Sequence, residues 1–235
     1  MSQRTPATPT TSRRRRTAGL LAALSALAGL GLTACGAHDG APAARISASS
    51  VADTASGPAS APTAVPTVPR RTAEGRTTTP PWPVPADPAA RVAAAGLPMM
   101  GAEGQVMHIH AHLDVLVDGR PVVVPALIGI DEQAQRISPL HTHDTSGVIH
   151  IESPVKAVFT LGQFMTEWDV ALDAGRLGGL TTGHGDTLRA YVDGHETKGD
   201  PAALTLHAHD EIALVYGPAD TPVKVPGSYP WPQGL

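Results

Sequence analysis

Histidine is the residue type whose number and spacing could do chemistry in this chain. The 235 residues hold 11 histidines, eight of them in three sets: His108/His110/His112, His141/His143/His150 and His207/His209. Neutral imidazole is the commonest protein ligand for transition metals. Residues two apart on a strand have Cα atoms roughly 6.5–7 Å apart, so two imidazoles of a His-x-His can reach one ion while another strand supplies the third ligand. Three in a row span about 13 Å, too far for one ion. Two of His108, His110 and His112 are therefore expected to join His141 or His143, with His150 close by. Asp144, Glu152 or Asp210 would complete the shell or orient an imidazole from behind. Zinc or copper is the expected metal; Met99, Met100 and Met107 would favour Cu(I) if they ligate, and fill the core if they do not. A buried, hydrogen-bonded histidine network is the alternative for the same residues. His207/His209, beside Asp210-Glu211, read as a solvated turn, and His184 and His195 as loop residues.

The elements that must position these side chains are legible as alternation. Met107 to Val117 places Met107, Ile109, Ala111, Leu113, Val115 and Val117 on one parity and His108, His110, His112 and Asp114 on the other, which predicts a strand with an apolar and a histidine face. Asp118-Gly119 then turns the chain into Val122–Val124. A second hairpin runs from Leu140–His143 through Asp144–Gly147 to Val148–Glu152. In that register His143 opposes Val148 and His141 opposes His150, so His141, His143 and His150 share a face with Glu152 two residues on.

Asp87-Pro88 starts a short helix over 88–95, and the capping box Thr160-Leu161-Gly162-Gln163 starts an amphipathic one over 161–169. Gly175–Gly185 reads as a glycine-rich loop, Leu188–Val192 and Glu211–Tyr216 as strands, and the proline-rich tail after Gly217 as extended chain. The expected fold is α+β: a mainly antiparallel β domain with two short helices.

The N-terminal part differs in composition. Four arginines, Arg13 to Arg16, precede an apolar run over 18–32 that ends in Leu32-Thr33-Ala34-Cys35-Gly36. This order of basic, apolar and small residues is that of an export signal. Its end resembles the lipobox of bacterial lipoproteins, which implies lipid attachment at Cys35 and a location on the outer, extracytoplasmic face of the cell membrane. Arg15-Arg16 leaves the export route open. The single cysteine excludes a disulfide within the mature chain. Residues 1–34 carry five arginines and no acid, leaving 12 basic against 21 acidic residues, a net −9 that disfavours nucleic acid as a partner. Residues 35–86, rich in Ala, Pro, Ser and Thr, read as a disordered tether, and 87–235 as a single histidine-rich domain.

No Gly-x-Ser-x-Gly elbow, phosphate-binding glycine loop or His-Glu-x-x-His occurs, so no reaction is legible. From about Ala94 the chain resembles a family of exported bacterial and archaeal proteins, through the stretches His108-Ile109-His110-Ala111-His112-Leu113, Pro139 to Gly147, Ile149-His150-Ile151-Glu152 and Phe159 to Phe164. That resemblance implies export but no established activity. The segment Asp210 to Gly217 is also similar to the last strand of β-grasp domains, implying a β-grasp-like C-terminal half. The expected function is extracytoplasmic metal binding by a membrane-anchored lipoprotein, with a metal-dependent enzyme or a metal-free interaction module as alternatives.

Overall fold

The computed structural model describes residues 61–235; the signal, Cys35 and His38 lie outside the described residues. In chain order the elements are α1 (Pro88–Ala94), β1 (Met107–Val117), β2 (Arg120–Val122), β3 (Ile130–Asp131), β4 (Arg136–Ile137), β5 (Leu140–His141), β6 (Val148–Ser153), α2 (Leu161–Glu167), β7 (Leu172–Asp173), β8 (Arg176–Leu177), β9 (Leu180–Thr181), β10 (Asp186–Val192), β11 (His195–Thr197) and β12 (Glu211–Pro218). A one-turn 3₁₀ helix, Pro201–Ala203, precedes β12. The fold is α+β with a mainly antiparallel sheet, ordered β11-β10-β12-β1-β6-β5, and β2 also pairs with β1.

At its centre β1 and β12 run parallel, with Leu113 opposite Ile212 and Val115 opposite Leu214. The β1–β2 hairpin flanks one side of this pair and the β10–β11 hairpin the other. Alternation explains which face is buried. Ala111, Leu113, Val115, Ile149, Ile151, Ile212 and Leu214 all belong to the core cluster, together with Phe164 and Met165 of α2 and Trp168 at its C-cap.

Helix α2 begins as its capping box requires: the Thr160 side chain accepts from the Gln163 amide, and Gln163 Oε1 accepts from the Thr160 amide. It is not amphipathic in the expected sense, because every residue from Leu161 to Glu167 is buried. Two of its polar side chains are satisfied internally: Gln163 Nε2 donates to the Ala95 carbonyl at 3.3 Å and Thr166 Oγ1 to the Gly162 carbonyl at 2.7 Å.

What covers its outer side is the stretch just before residue 87, where the composition predicts a disordered tether. That boundary needs correcting. Arg76 pairs with Val170 and Ala73 with Leu172 as isolated bridges, Glu74 N–H donates to Thr166 Oγ1 at 3.0 Å, and Thr160 Oγ1 donates to the Arg70 carbonyl. Trp82 is 2% exposed and meets Trp168 edge-to-face at 5.8 Å. Backbone pairing and one tryptophan hold this segment, and its prolines lower the entropy lost on ordering.

One further expectation changes and one holds. The glycine-rich stretch is the three-stranded β7-β8-β9 sheet, tightened by Gly178 at φ 58°. Met99 and Met107 pack against the core, which argues against thioether ligation by either.

Candidate metal centre

The histidine face of the sheet is assembled by register. His108 lies opposite Glu152 and His110 opposite His150 on the β1–β6 ladder, and His141 opposite His150 on the β5–β6 ladder. Cross-strand partners share a face, so one row crosses three strands as His110, His150 and His141. The predicted His143–Val148 pair does not form. The ladder ends at His141 because Thr142 turns away: its amide donates to the Ile128 carbonyl at 3.1 Å and its carbonyl accepts from Leu127 at 2.9 Å. From the loop, the His143 ring folds back over His150, with centroids 4.5 Å apart. Gly147 closes this loop at φ 89°, where an added Cβ would sit 2.6 Å from the Leu113 carbonyl oxygen.

One ligand atom from each of His141, His143, His150 and Glu152 lies within 4.8 Å of every other, and the same holds for His108, His110 and Glu152. These groups are within metal-binding distance. Details of protonation strengthen the fit. His141, fully buried, donates from Nδ1 to the Ser138 carbonyl at 3.0 Å, which leaves Nε2 unprotonated, with its lone pair in contact with the His143 ring. That Nε2 sits 3.2 Å from His143 Nε2. Two nitrogens on one tetrahedral zinc, each bound at 2.0–2.1 Å, are separated by about 3.3 Å. A ligating histidine held through its other nitrogen by a backbone carbonyl is the usual way an imidazole is aimed at a metal.

Burial lowers His141 to about 3, partly offset by Glu152 and reinforced by His143 and His150. Burial and the neighbouring His150 and His108 lower His110 to about 4. Both rings are therefore neutral at neutral pH, the form that ligates. Burial would raise Glu152, but the hydrogen bond from His150 and the charges of His141, His108 and His150 outweigh it and hold the carboxyl at about 2. Its Oε1 lies 3.1 Å from His150 Nδ1 and 3.4 Å from His108 Nε2. Its Oε2, like His110 Nε2, is buried without a hydrogen-bond partner among the described residues. Unpaired buried polar atoms are costly, and here two of them border the same cluster.

The structure separates His112 from this set, although it is one of the expected ligands. Its Nδ1–H donates to Glu211 Oε2 at 2.9 Å and its Nε2–H to the Ser146 carbonyl at 2.8 Å. Two acceptors demand two N–H groups, so the ring is an imidazolium. Burial opposes the charge, yet the hydrogen bond and charge of Glu211 raise its pKa. His112 thus has no lone pair to give, and Asp114 and Glu211 beside it complete an ion-pair cluster. Tyr229 stacks on the charged ring at 3.9 Å and Trp231 lies 4.8 Å from His209, which docks the C-terminal tail.

Among the described residues Asp144 makes no hydrogen bond to a histidine. It is exposed and caps its own loop, accepting from the Ser146 amide at 2.8 Å. His207 pairs with Asp210 at 3.2 Å, outside the cluster.

Sequence reasoning missed Ser138, which acts through a backbone carbonyl and so leaves no mark in residue type. It also missed Glu103, whose Oε1 lies 3.7 Å from His143 Nε2 at the exposed side, and Glu211, whose alternation in β12 puts it on the histidine face. No protein-family model matches the chain, nor does any curated protein or solved structure.

Proposed function

We propose that this chain is a lipoprotein, anchored through Cys35 on the outer face of the cell membrane, that binds a transition-metal ion for capture or delivery. The ion is held by His141, His143, His150 and Glu152. The observation that carries the reading is the aimed lone pair of buried His141, 3.2 Å from His143 Nε2, in a group that also holds His150 and Glu152. Three imidazoles and a carboxylate, without a thiolate or thioether among them, suit Zn²⁺ and Cu²⁺ better than Cu⁺. In this reading the membrane is reached through the lipid on Cys35; no helix among the described residues is long and apolar enough to cross a membrane. The acidic mature chain makes nucleic acid an unsuitable partner.

Calorimetric titration of Zn²⁺ and Cu²⁺ into the purified full chain tests this, beside a His141→Ala/His143→Ala variant. Tight binding with a defined stoichiometry is expected. In the variant, affinity should fall beyond the 10–100-fold that losing only a ligand's supporting partner costs. Absence of tight binding, or binding indifferent to the two substitutions, would refute the reading.

Glu103 favours a second reading, metal-dependent catalysis, because a carboxylate at the exposed edge of a metal site is placed to take a proton from bound water. That reading requires an exchangeable water on the ion. A four-ligand shell closed to solvent in a metal-bound crystal structure would count against it.

A further inference from the structure

The cluster contains more donors than one ion can use. His108 and His110 form a separate three-residue group whose only member in common with the first is Glu152. Glu152 stands between them in space as well: its Oε1 is 3.1 Å from His150 Nδ1 on one side and 3.4 Å from His108 Nε2 on the other. These are ligand-to-ligand spacings of the size that one tetrahedral ion imposes, about 3.3 Å.

The second group holds two buried polar atoms that no partner among the described residues satisfies. His110 is 4% exposed, is wedged between the rings of His108 and His150 with centroids at 5.0 and 4.6 Å, and leaves Nε2 without a partner. Glu152 is 2% exposed and leaves Oε2 without one. A carboxylate with one oxygen facing both sets and a second oxygen unpaired is the group that bridges ions in two-metal sites, where ions sit about 3.5–4 Å apart.

We propose that His108, His110 and Glu152 hold a second divalent transition-metal ion, so that the centre is binuclear with Glu152 as its bridge. The proposal rests on the metal reading above. The class of ion is the same, since the donors are again imidazole and carboxylate. The second ion has three protein ligands where the first has four, and His108, with its side chain 49% accessible, lies on the solvent side. A small anion or water is therefore the natural fourth ligand of the second ion. The His112/Asp114/Glu211 group does not compete for this role, because both nitrogens of His112 are already engaged.

Equilibrium dialysis of the purified full chain against Zn²⁺, followed by metal analysis, tests the proposal. Two ions per chain are expected for the wild type, and one each for His108→Ala and His110→Ala. His108→Ala guards the test against misfolding, because the side chain removed is half exposed; circular dichroism checks both variants. Glu152→Gln should weaken both binding steps at least tenfold. One ion in the wild type overturns the binuclear centre and leaves the metal reading standing, whereas none overturns both. Two ions that persist in both histidine variants place the second elsewhere and overturn the proposal. Weakening of a single step by Glu152→Gln overturns the bridge.

Discussion

Histidines on one face of the sheet end in different chemical states because their second nitrogens meet different partners. His141 donates to a carbonyl and keeps a lone pair, His110 is buried with Nε2 unpaired, and His112 donates twice and carries a charge. The division predicts opposite mutational signatures. His112→Ala leaves the Glu211 carboxylate buried without its counter-charge, at a cost of about 3–5 kcal/mol. Thermal denaturation should show that loss while Zn²⁺ affinity stays within about twofold of wild type, since separate sites act nearly additively. A large loss of affinity with unchanged stability would return His112 to the ligand set.

Among the elements, α2 and the segment before α1 depend on each other. The helix has seven residues, too few to be stable alone, and all of them are buried. Residues 70–76 hold it through the Thr160 and Thr166 hydroxyls and through backbone pairing to Val170 and Leu172 just after it, and Trp82 packs against Trp168. Trp82 Nε1–H donates to the Thr78 carbonyl at 2.8 Å, and the Trp82 carbonyl accepts from Trp168 Nε1 at 3.2 Å. Replacing Trp82 by Ala is expected to cost about 3–5 kcal/mol. A chain starting at residue 87 should lose at least as much, seen as a lower denaturant midpoint than that of a chain starting at 61. Equal midpoints would mean that the segment adds nothing to the fold. The composition rule misled here because it counts large apolar side chains. This stretch is held by main-chain hydrogen bonds, which composition does not register.

For the whole molecule, the buried titratable groups set the pH range over which the metal-free fold is stable. The folded-state pKa values of His141 and His110, about 3 and about 4, lie below the 6.5 of an unfolded histidine. The unfolded chain therefore binds more protons below pH 6.5, and stability is lost as pH falls through that window. Glu167 acts with the opposite sign. Burial raises its pKa well above 4.5, partly countered by the hydrogen bond Ser138 Oγ donates at 2.6 Å. The native state then holds a proton that the unfolded chain has released, so stability declines as pH rises above 4.5. Melting temperature measured against pH should fall on acidification from 7 to 4. Glu167→Gln should raise it by about 5 °C at pH 8 and by much less near pH 4.5. A pH-independent difference between the two proteins would exclude ionisation of Glu167 as the cause.

Much of the sheet and half of the site could be read from sequence, because both rest on local periodicity. Alternation over Met107–Val117 dictated a strand with a histidine face, and the hairpin turn placed His141 opposite His150, as observed. The caps at Asp87 and Thr160 marked both helix starts. What depended on distant pairing was not legible. Which histidines converge followed from the β1–β6 register and from Thr142 pairing with the 127–128 loop, and the state of each imidazole followed from a backbone carbonyl that residue type does not mark, that of Ser138, or from a distant side chain, that of Glu211. Side-chain periodicity is a property of one strand, whereas the protonation and aim of a histidine are set by whatever the fold packs against its second nitrogen.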